Sequence, residues 1–421
     1  MSLYEMVLAR LNETDCKTLT GLFDLDAIFA YCKAKPGVTE LRHSGKKKSE
    51  FRWYDSSFVT IEGDFPLPQL QLHCRSSRVD ALMNEHKGIH CEYRSEWGKQ
   101  KTKLWIEVNI TPDIQPELLL ELIDDAYAII VEGLSDKDKA ILALMDRASI
   151  DENKIRQLIH LSDLEHRSNE IFALLKPSIS LQPSSKTKRY PGYNRSKFGG
   201  LPYLPGAMNW PTYNSIPLSF LAQINLSEIS QYPAAIDLPS KGMLYFFSSY
   251  GWMRAEMMGD STIRFESRTK VIYLNSDLEQ LTHTRLPPRM PIDSIYPEFG
   301  IEFSHKWTLP CSFGFNDPLD PAIKALGWNE DEYNKLSDLT FHLHRLYVDN
   351  GEIGHQLMGH FYPESNPIAI NPEDRLLMQL TSDYSYTGFE WGDGGNLFFA
   401  IDQKDLTEHN FNRIRVEFEC G

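Results

Sequence analysis

The chain has 421 residues, 42% of them hydrophobic, and this length predicts two or three domains with ordinary cores. No apolar run reaches the roughly 18 residues that a transmembrane helix needs, so we expect no membrane span. The opening stretch, MSLYEMVLARLNETD, lacks a basic region followed by an apolar core, which argues against a secretory signal. Acidic residues outnumber basic ones by 58 to 43, and the net charge of −15 argues against a nucleic-acid partner.

Cysteine usage and the absence of known motifs limit the chemistry. The six cysteines are scattered without a C-x-x-C pair, which is typical of a reduced, cytoplasmic protein. No G-K-S/T, H-E-x-x-H or G-x-S-x-G is present, and no G-x-G-x-x-G follows a predicted strand. We therefore expect no metal and no cofactor.

Residues 1–134 predict helices, then a meander of strands, then a closing helix. Met1 to Leu11 is the first helix candidate, and Asp113 is expected to cap the closing helix, with Pro116 in its first turn. The closing helix carries a wide apolar stripe. The predicted strands are Ser49–Tyr54, Phe58–Ile61, Gln69–Cys74, Ile89–Tyr93 and Leu104–Ile110, and a further helix is predicted over Leu22–Tyr31 and another over Arg78–His86.

Three stretches in this region carry a family resemblance: LQLHCRSSRVDALMNEHKGI, KLWIEV and PELLLELIDDAYAIIVEGL. Together they resemble the MmcQ/YjbR-like domain, and Tyr127 takes the aromatic place of that family. The resemblance implies a CyaY-like α-β sandwich. A DNA-binding role has been suggested for the family, but acidic residues outnumber basic ones here as well, and Arg42 with Lys46–Lys48 is the one basic cluster.

Residues 135–180 predict a helical connection between two domains. Ser135 followed by Asp138 resembles a capping box, and Asp151 is placed to begin the next helix. The apolar residues Ile155, Leu158 and Ile159 fall at helical spacing. We interpret this segment as a join that leads into the first helices of the second domain.

Residues 181–421 are organised around a glycine- and proline-rich turn followed by two apolar strands. Gly199-Gly200 allows positive φ or a close approach of the backbone. Trp210 marks either a packed corner or a ligand platform. Gln223 lies within an apolar strand, where a buried amide must be hydrogen-bonded, so its role is either structural or ligand-binding.

A similar pattern recurs near the C-terminus. The stretch LLMQL around Gln379 echoes FLAQI around Gln223, and GNLFF echoes GMLYF. This recurrence predicts an internal duplication, with the two copies related by a pseudo-two-fold axis. A groove between the copies is one place for a ligand, although a filled core seam is equally consistent.

Histidines and acidic residues beside glycines supply the remaining candidates. The stretch H-Q-L-M-G-H offers His355, Gln356 and His360, but two imidazoles are fewer ligands than zinc sites use. Trp391 and Asp393 lie in a glycine-rich turn, where an aspartate usually bonds its own backbone. His342 and His344 are two apart, on different sides of a predicted helix.

Six motifs in order carry a second resemblance: SKFGGLPYLPGAMNWP, PLSFLAQINLSEI, KGMLYFF, GHQLMGHF, RLLMQLTSD and WGDGGNLFFAI. They resemble the YwqG-like family, DUF1963, whose activity is unassigned. The resemblance implies an internally duplicated α+β domain and is compatible with an immunity role.

The sequence therefore predicts an α+β protein with an N-terminal domain over 1–134, a helical connection over 135–180 and a YwqG-like domain over 181–421. The first functional hypothesis is a cytoplasmic binding protein whose partner is a protein or a small molecule. The second is a hydrolase that uses His355, His360 or Asp393 between the two copies. The third is nucleic-acid binding through residues 42–48.

Overall fold

A computed structural model gives the fold of two compact units, residues 1–149 and 150–421. Among the helices that it describes, none combines the length and apolar composition needed to cross a bilayer. The predicted helix over Met1 to Leu11 lies outside the described residues. The structure describes residues 25–42, 48–53, 56–62, 69–91, 103–109, 114–145, 150–184, 192–206, 208–249, 269–275, 278–290, 295–311, 326–348, 354–363, 371, 373–383, 386–392 and 394–419.

The first unit contains a six-stranded antiparallel sheet in the order β1-β2-β3-β4-β6-β5. Burial alternates along β2, so that Phe51 and Trp53 enter the core while their neighbours face outward. The alternation is that of a half-buried strand, and the pairing of β1 to β4 in chain order confirms the meander that the sequence predicts. The strands are β1 (Thr39–Arg42), β2 (Lys48–Trp53), β3 (Ser56–Glu62), β4 (Gln69–Arg75), β5 (Ile89–His90) and β6 (Lys103–Asn109).

Four described helices belong to the first unit: α1 (Leu25–Lys33), α2 (Ser76–Glu85), α3 (Pro116–Glu132) and α4 (Asp136–Leu144). α3 packs on β3 and β4. Asp113, the predicted cap of α3, lies outside the described residues; Gln115 precedes the first turn and makes no side-chain cap hydrogen bond. Pro116 begins this helix, at a position where the missing N–H has no intrahelical partner to lose.

Four of the five described α-helices of the second unit begin at a short polar side chain that caps them, α6 being the exception. Asp151 accepts a hydrogen bond from the amide of Lys154, which confirms the predicted start. Asn329 and Glu332 cap α8 reciprocally, each side chain accepting from the other's amide. The helices are α5 (Glu152–Leu161), α6 (Ser168–Leu174), α7 (Leu226–Ile229), α8 (Glu330–Val348) and α9 (Gln403–Thr407).

A ten-stranded sheet forms the body of the second unit, in the order β14-β13-β12-β8-β16-β7-β17-β18-β19-β20. Every pairing in it is antiparallel. Its strands are β7 (Lys176–Pro183), β8 (Lys197–Phe198), β12 (Ser219–Asn225), β13 (Met243–Ser248), β14 (Thr269–Leu274), β16 (Phe299–Thr308), β17 (Gln356–Leu357), β18 (Asp374–Thr381), β19 (Asn396–Asp402) and β20 (Ile414–Glu419), and two small side ribbons hold β9 (Tyr203–Pro205), β10 (Thr212–Tyr213), β11 (Ile216–Pro217) and β15 (Leu281–His283).

This sheet curls until its two ends meet. The rings of Phe246 on β13 and Phe399 on β19 lie 5.2 Å apart, although six strands separate β13 from β19 in the sheet order. A flat sheet would hold these strands roughly 34 Å apart at the usual spacing of about 4.8 Å. The rolled inner face therefore encloses one large apolar core that draws on both ends of the sheet.

A charged pair is buried in the middle of the sheet. Lys197 on β8 is fully buried, and its Nζ donates to a Glu298 carboxylate oxygen and to the carbonyl of Leu201, both at 2.7 Å. Burial lowers the pKa of Lys197, and the neighbouring Glu298 opposes that shift. The glutamate therefore stabilises the charged lysine, because a buried Lys197 without a counter-charge would be poorly solvated.

Replacing Glu298 by glutamine should destabilise the second unit by about 2 kcal/mol, because Lys197 would keep its burial and lose its counter-charge. The stability of E298Q should rise with pH above neutrality, since the unfolded lysine would hold its proton to higher pH than the folded one. Urea unfolding between pH 7 and 9.5 measures both effects.

The matched control is the double variant K197M/E298Q, which removes the buried charge as well. It should recover most of the lost stability and should lack the pH dependence, because a methionine fills a similar volume without a charge. Equal stability of E298Q and the parent would contradict a buried ion pair.

Candidate functional site

The clearest concave site in the described residues is a cleft between β16, α8 and the segment that follows β17. We call it the seam cleft, because it lies near the middle of the sheet, where β16 pairs with β7. The space inside it, open solvent included, is about 280 Å³, and the enclosed part has room for about one water-sized group. Its polar lining comes from several elements: Lys306 and Thr308 on β16, Thr340, His344 and Tyr347 on α8, Gln356 on β17 and Tyr362 after β17.

His344 is the central titratable group of the seam cleft. Its ring stacks on Tyr362 with centroids 3.7 Å apart and planes 8° apart. Burial holds its pKa well below 6.5, and the positive charges of Lys306 and Arg345 lower it further. His344 is therefore a neutral imidazole at pH 7, and no described residue hydrogen-bonds either of its ring nitrogens.

The opposite wall is made by β16. Lys306 is almost fully buried, and its Nζ lies 5.9 Å from the centre of the Tyr347 ring. The Tyr347 hydroxyl accepts a hydrogen bond of 2.8 Å from the amide of Trp307, which fixes α8 against the strand. This side of the cleft thus holds a buried lysine beside an aromatic ring.

Gln356 lines the cleft, and a hydrogen bond to a nearby backbone group holds its side chain. Its Nε2 donates to the carbonyl of His360 at 2.8 Å, and its Oε1 accepts no hydrogen bond from any described residue. The amide of His360 in turn donates to Thr308 at 3.0 Å, which ties this segment to β16. The amide oxygen of Gln356 is therefore an acceptor available to a ligand.

His360, whose carbonyl holds the Gln356 side chain, is not itself a lining residue of the cleft. Its Nε2 is 2.8 Å from the carbonyl of Leu174, so Nε2 carries the proton and donates. Burial lowers its pKa to about 3, with further lowering by Lys176 and Arg375 and an opposing effect of the Leu174 hydrogen bond. His360 is thus a neutral structural donor in the arrangement observed.

His355 is fully buried at the start of β17. Its Nδ1 accepts from the amide of Thr381 at 3.0 Å, so the proton resides on Nε2, which has no hydrogen-bond partner among the described residues. Burial lowers its pKa to about 4; the charge of Asp383 raises it and that of Lys306 lowers it. Its ring packs on Phe198 at 5.1 Å.

The two predicted glutamines occupy closed networks in the sheet. Gln223 accepts from the amide of Tyr203 at 3.1 Å and donates to the carbonyl of Arg195 at 2.8 Å. Gln379 accepts from the amide of Tyr362 at 3.2 Å and donates to the same residue's carbonyl at 3.1 Å. Gln223 thus holds the backbone on both sides of β8, and Gln379 holds the backbone that follows β17.

The two predicted tryptophans serve packing in the arrangement observed. Trp210 donates from Nε1 to the carbonyl of Leu218 at 2.9 Å, and its ring packs edge-on against Phe247. Trp391 is buried in the large core and stacks on Phe389, with ring centroids 5.4 Å apart.

Thus the structure brings His355, Gln356, His360 and Gln379 together, with Gln356 directly opposite Gln379 across β17 and β18. Gln223 lies on β12 and Trp210 precedes it, on the other side of β16 and β7 in the sheet order. Asp393 lies outside the described residues, as do Lys46 and Lys47 of the basic cluster. Lys48 of that cluster is paired with Glu62 at 2.6 Å.

Sequence reasoning did not identify Lys306, His344, Tyr347 and Tyr362 as site residues. The signal that was present is the spacing of Thr340, His344 and Tyr347, which puts three polar side chains on one face of α8. Lys306 had no such signal, because only the pairing of β16 with β7 brings it to the cleft. Within the described part of the chain, no three His, Cys, Asp or Glu side chains converge as metal ligands.

Comparisons with known proteins identify the larger part of the chain. No curated protein matches it significantly. Among solved structures, the crystal structure of Deinococcus radiodurans protein DR2400, a DUF419 domain, is 19% identical, with a TM-score of 0.25 over 28% of this chain and 87% of that chain, a likeness too weak to carry a structural argument. A family model described as a domain of unknown function, DUF1963, matches residues 196–420. Because this match covers more than half of the 421 residues, the chain belongs to the DUF1963 family.

Proposed function

We propose that this chain is a binding protein that takes a small polar molecule into the seam cleft. The observation that carries the proposal is a pair of lining side chains: no described residue hydrogen-bonds the ring nitrogens of His344 or the amide oxygen of Gln356. Buried or half-buried polar groups that converge without partners are typical of ligand sites. The small concave shape favours a small molecule over a flat protein interface.

We further propose that the second unit contains two related copies of one strand unit, and that the cleft lies beside their junction. The hydrogen bonds of the two glutamines support this. Gln223 accepts from the amide of Tyr203, and Gln379 accepts from the amide of Tyr362. In each case the amide lies just beyond a two-residue strand, β8 or β17.

The same short strands supply a second correspondence. Lys197 on β8 donates to the carbonyl of Leu201, four residues later, and Gln356 on β17 donates to the carbonyl of His360, also four residues later. The polar side chain at the same place in each strand therefore holds the turn that follows it.

Backbone conformation supplies a third. Gly199 and Gly200 both have positive φ, and so do Met358 and Gly359 at the corresponding turn. β12 and β18 each carry one register irregularity against the next strand, directly before the glutamine's neighbour. The sheet order also reads alike from both ends, with β8 and β16 facing β17 and β7.

The hydrolase hypothesis has less support. It needs His355 or His360 to exchange protons with a substrate, yet both rings are buried and their pKa values lie at about 4 and about 3. A general base acts best with a pKa near the working pH. Its third candidate, Asp393, lies outside the described residues, so that role stays a prediction.

The first unit is proposed to be an accessory domain of the MmcQ/YjbR-like kind. Its antiparallel sheet covered by α3 supports this, as does the burial of Tyr127 against Phe58, with ring centroids 5.7 Å apart. A cytoplasmic location stays part of the proposal. It is supported by the free thiols of Cys32, Cys74, Cys91 and Cys311.

The binding proposal is tested by a thermal-shift screen of small polar molecules against the parent and against H344W. The tryptophan should stack on Tyr362 and fill the cleft. At least one chemical class should raise the melting temperature of the parent in a concentration-dependent way, and H344W should abolish that rise.

The control is H409W, which places the same bulk at an exposed histidine of the second unit. It should respond to the same molecules as the parent does. Hits that stabilise H344W equally would contradict the seam cleft as the site, and a screen without any hit would contradict the binding role.

A further inference from the structure

We propose that Thr308 is the positioning residue of the seam cleft, because its hydroxyl decides which atom of the Gln356 amide faces the cleft. Thr308 acts through the turn that follows β17 and not by touching a ligand. This inference rests on the proposed function, which needs the amide oxygen of Gln356 in the cleft, and it names the residue that puts that oxygen there.

The amide of Gln356 is oriented by one contact. A side-chain amide can present either its oxygen or its NH₂ group, and rotation by half a turn exchanges the two. The Nε2 atom of Gln356 donates to the carbonyl of His360 at 2.8 Å. Because a carbonyl oxygen only accepts, the NH₂ group is committed to His360 and Oε1 is the atom left for the cleft. The acceptor character of this part of the cleft therefore depends on where the His360 carbonyl lies.

The turn between these two residues is strained and has to be held in place. Met358 has a φ of +58° although it carries a side chain, and Gly359 has a φ of +84°. A non-glycine residue keeps such a conformation only where neighbouring groups fix it. Ser178 on β7 fixes the start of the turn, since its Oγ donates to the carbonyl oxygens of Leu357 and Met358, each 3.0 Å away.

Thr308 on β16 fixes the end of the turn. Its Oγ1 accepts from the amide of His360 at 3.0 Å and donates to the carbonyl of Lys176 at 3.1 Å. A hydroxyl can do both at once, whereas a valine of similar shape can do neither. The turn also lies close against this hydroxyl, because a Cβ on Gly359 would stand 2.7 Å from Oγ1. Thr308 thus sets the position of His360, whose carbonyl holds Gln356.

The test follows the side-chain NH₂ signals of Gln356 by NMR in full-length protein labelled with ¹⁵N, with Q356M to assign them. In the parent, the proton that points to His360 should exchange slowly with water. T308V should speed this exchange about tenfold, as expected for the loss of one hydrogen bond. T308S keeps the hydroxyl and should leave the exchange close to that of the parent, a rescue that a mere loss of packing would not show.

The matched control is T282V. Thr282 also donates to a backbone carbonyl, that of Leu204, but it lies on a side ribbon, so T282V should leave the exchange of Gln356 unchanged. The parent supplies a measurement that needs no variant to fold: the His360 amide should be protected from exchange by its bond to Thr308.

Two results would overturn the inference: rapid exchange of the His360 amide in the parent, or equal exchange of Gln356 in T308V and the parent. Both would leave the binding role to the thermal-shift screen. An empty screen together with the expected exchange rates would refute the binding role and still leave Thr308 as the residue that orients Gln356.

Discussion

The variant G199A should lose about 4 kcal/mol or more of stability, or fail to accumulate as soluble protein. Gly199 has a φ of +56°, where an alanine is strained by about 1 kcal/mol. A Cβ at this position would also lie 2.0 Å from the carbonyl oxygen of Pro297 and 2.8 Å from its carbonyl carbon. Since these are backbone atoms next to β16, the central strands would have to separate to make room. Urea unfolding measures the loss.

Substitutions at two other glycines of the same unit distinguish the cost of backbone strain from the cost of a steric clash. Gly327 has a φ of +66° and open space where its Cβ would stand, so G327A should cost about 1 kcal/mol. Gly206 has open space and no left-handed φ, so G206A should change stability by less than about 0.5 kcal/mol. If G199A cost no more than G327A, the close approach of the turn to Pro297 would be refuted.

Acid should destabilise the second unit well before its carboxylates are protonated. His355 and His360 have folded pKa values of about 4 and about 3, whereas an unfolded histidine titrates near 6.5. Between these values the unfolded chain binds protons that the folded chain refuses, so stability falls as the pH drops from about 6.5 toward 4. Each histidine should contribute up to about 3 kcal/mol over this window.

Urea unfolding at half-unit steps from pH 7 to 5 measures this slope. The double variant H355N/H360Q should flatten it, because the asparagine oxygen can replace the Nδ1 acceptor and the glutamine amide can replace the Nε2 donor. H409N, a change at an exposed histidine, should keep the slope of the parent. An unchanged slope in H355N/H360Q would show that other groups control the acid response.

The sequence predicted strands in both units because their apolar residues either alternate, as in β2, or form short unbroken runs, as in β12 and β13. It also suggested that Gln223 and Gln379 correspond, since a polar residue inside an apolar run stands out in each of the two stretches. It could not predict β8 and β17, because a two-residue strand has no period. Those two strands carry Lys197 and Gln356, which hold the turns beside the centre of the sheet.

The site was only partly predictable for the same reason. Gln356 stood in a recognisable motif, but Lys306, His344 and Tyr362 come from three elements that meet only after the sheet has formed. The start of α3 depends on Pro116, which needs no cap for the N–H it lacks, and the sequence had placed this proline in the first turn.

Because of strand β7, this domain begins earlier in the chain than the residues that the family model matches. The match begins at residue 196, yet β7 spans Lys176–Pro183 and pairs with β16 on one side and β17 on the other. A fragment that began at Ser196 would lack an interior strand and would leave two facing rows of backbone amides and carbonyls without partners. Such rows invite pairing with another chain, so a polypeptide cut at the family boundary should self-associate more strongly than the whole one.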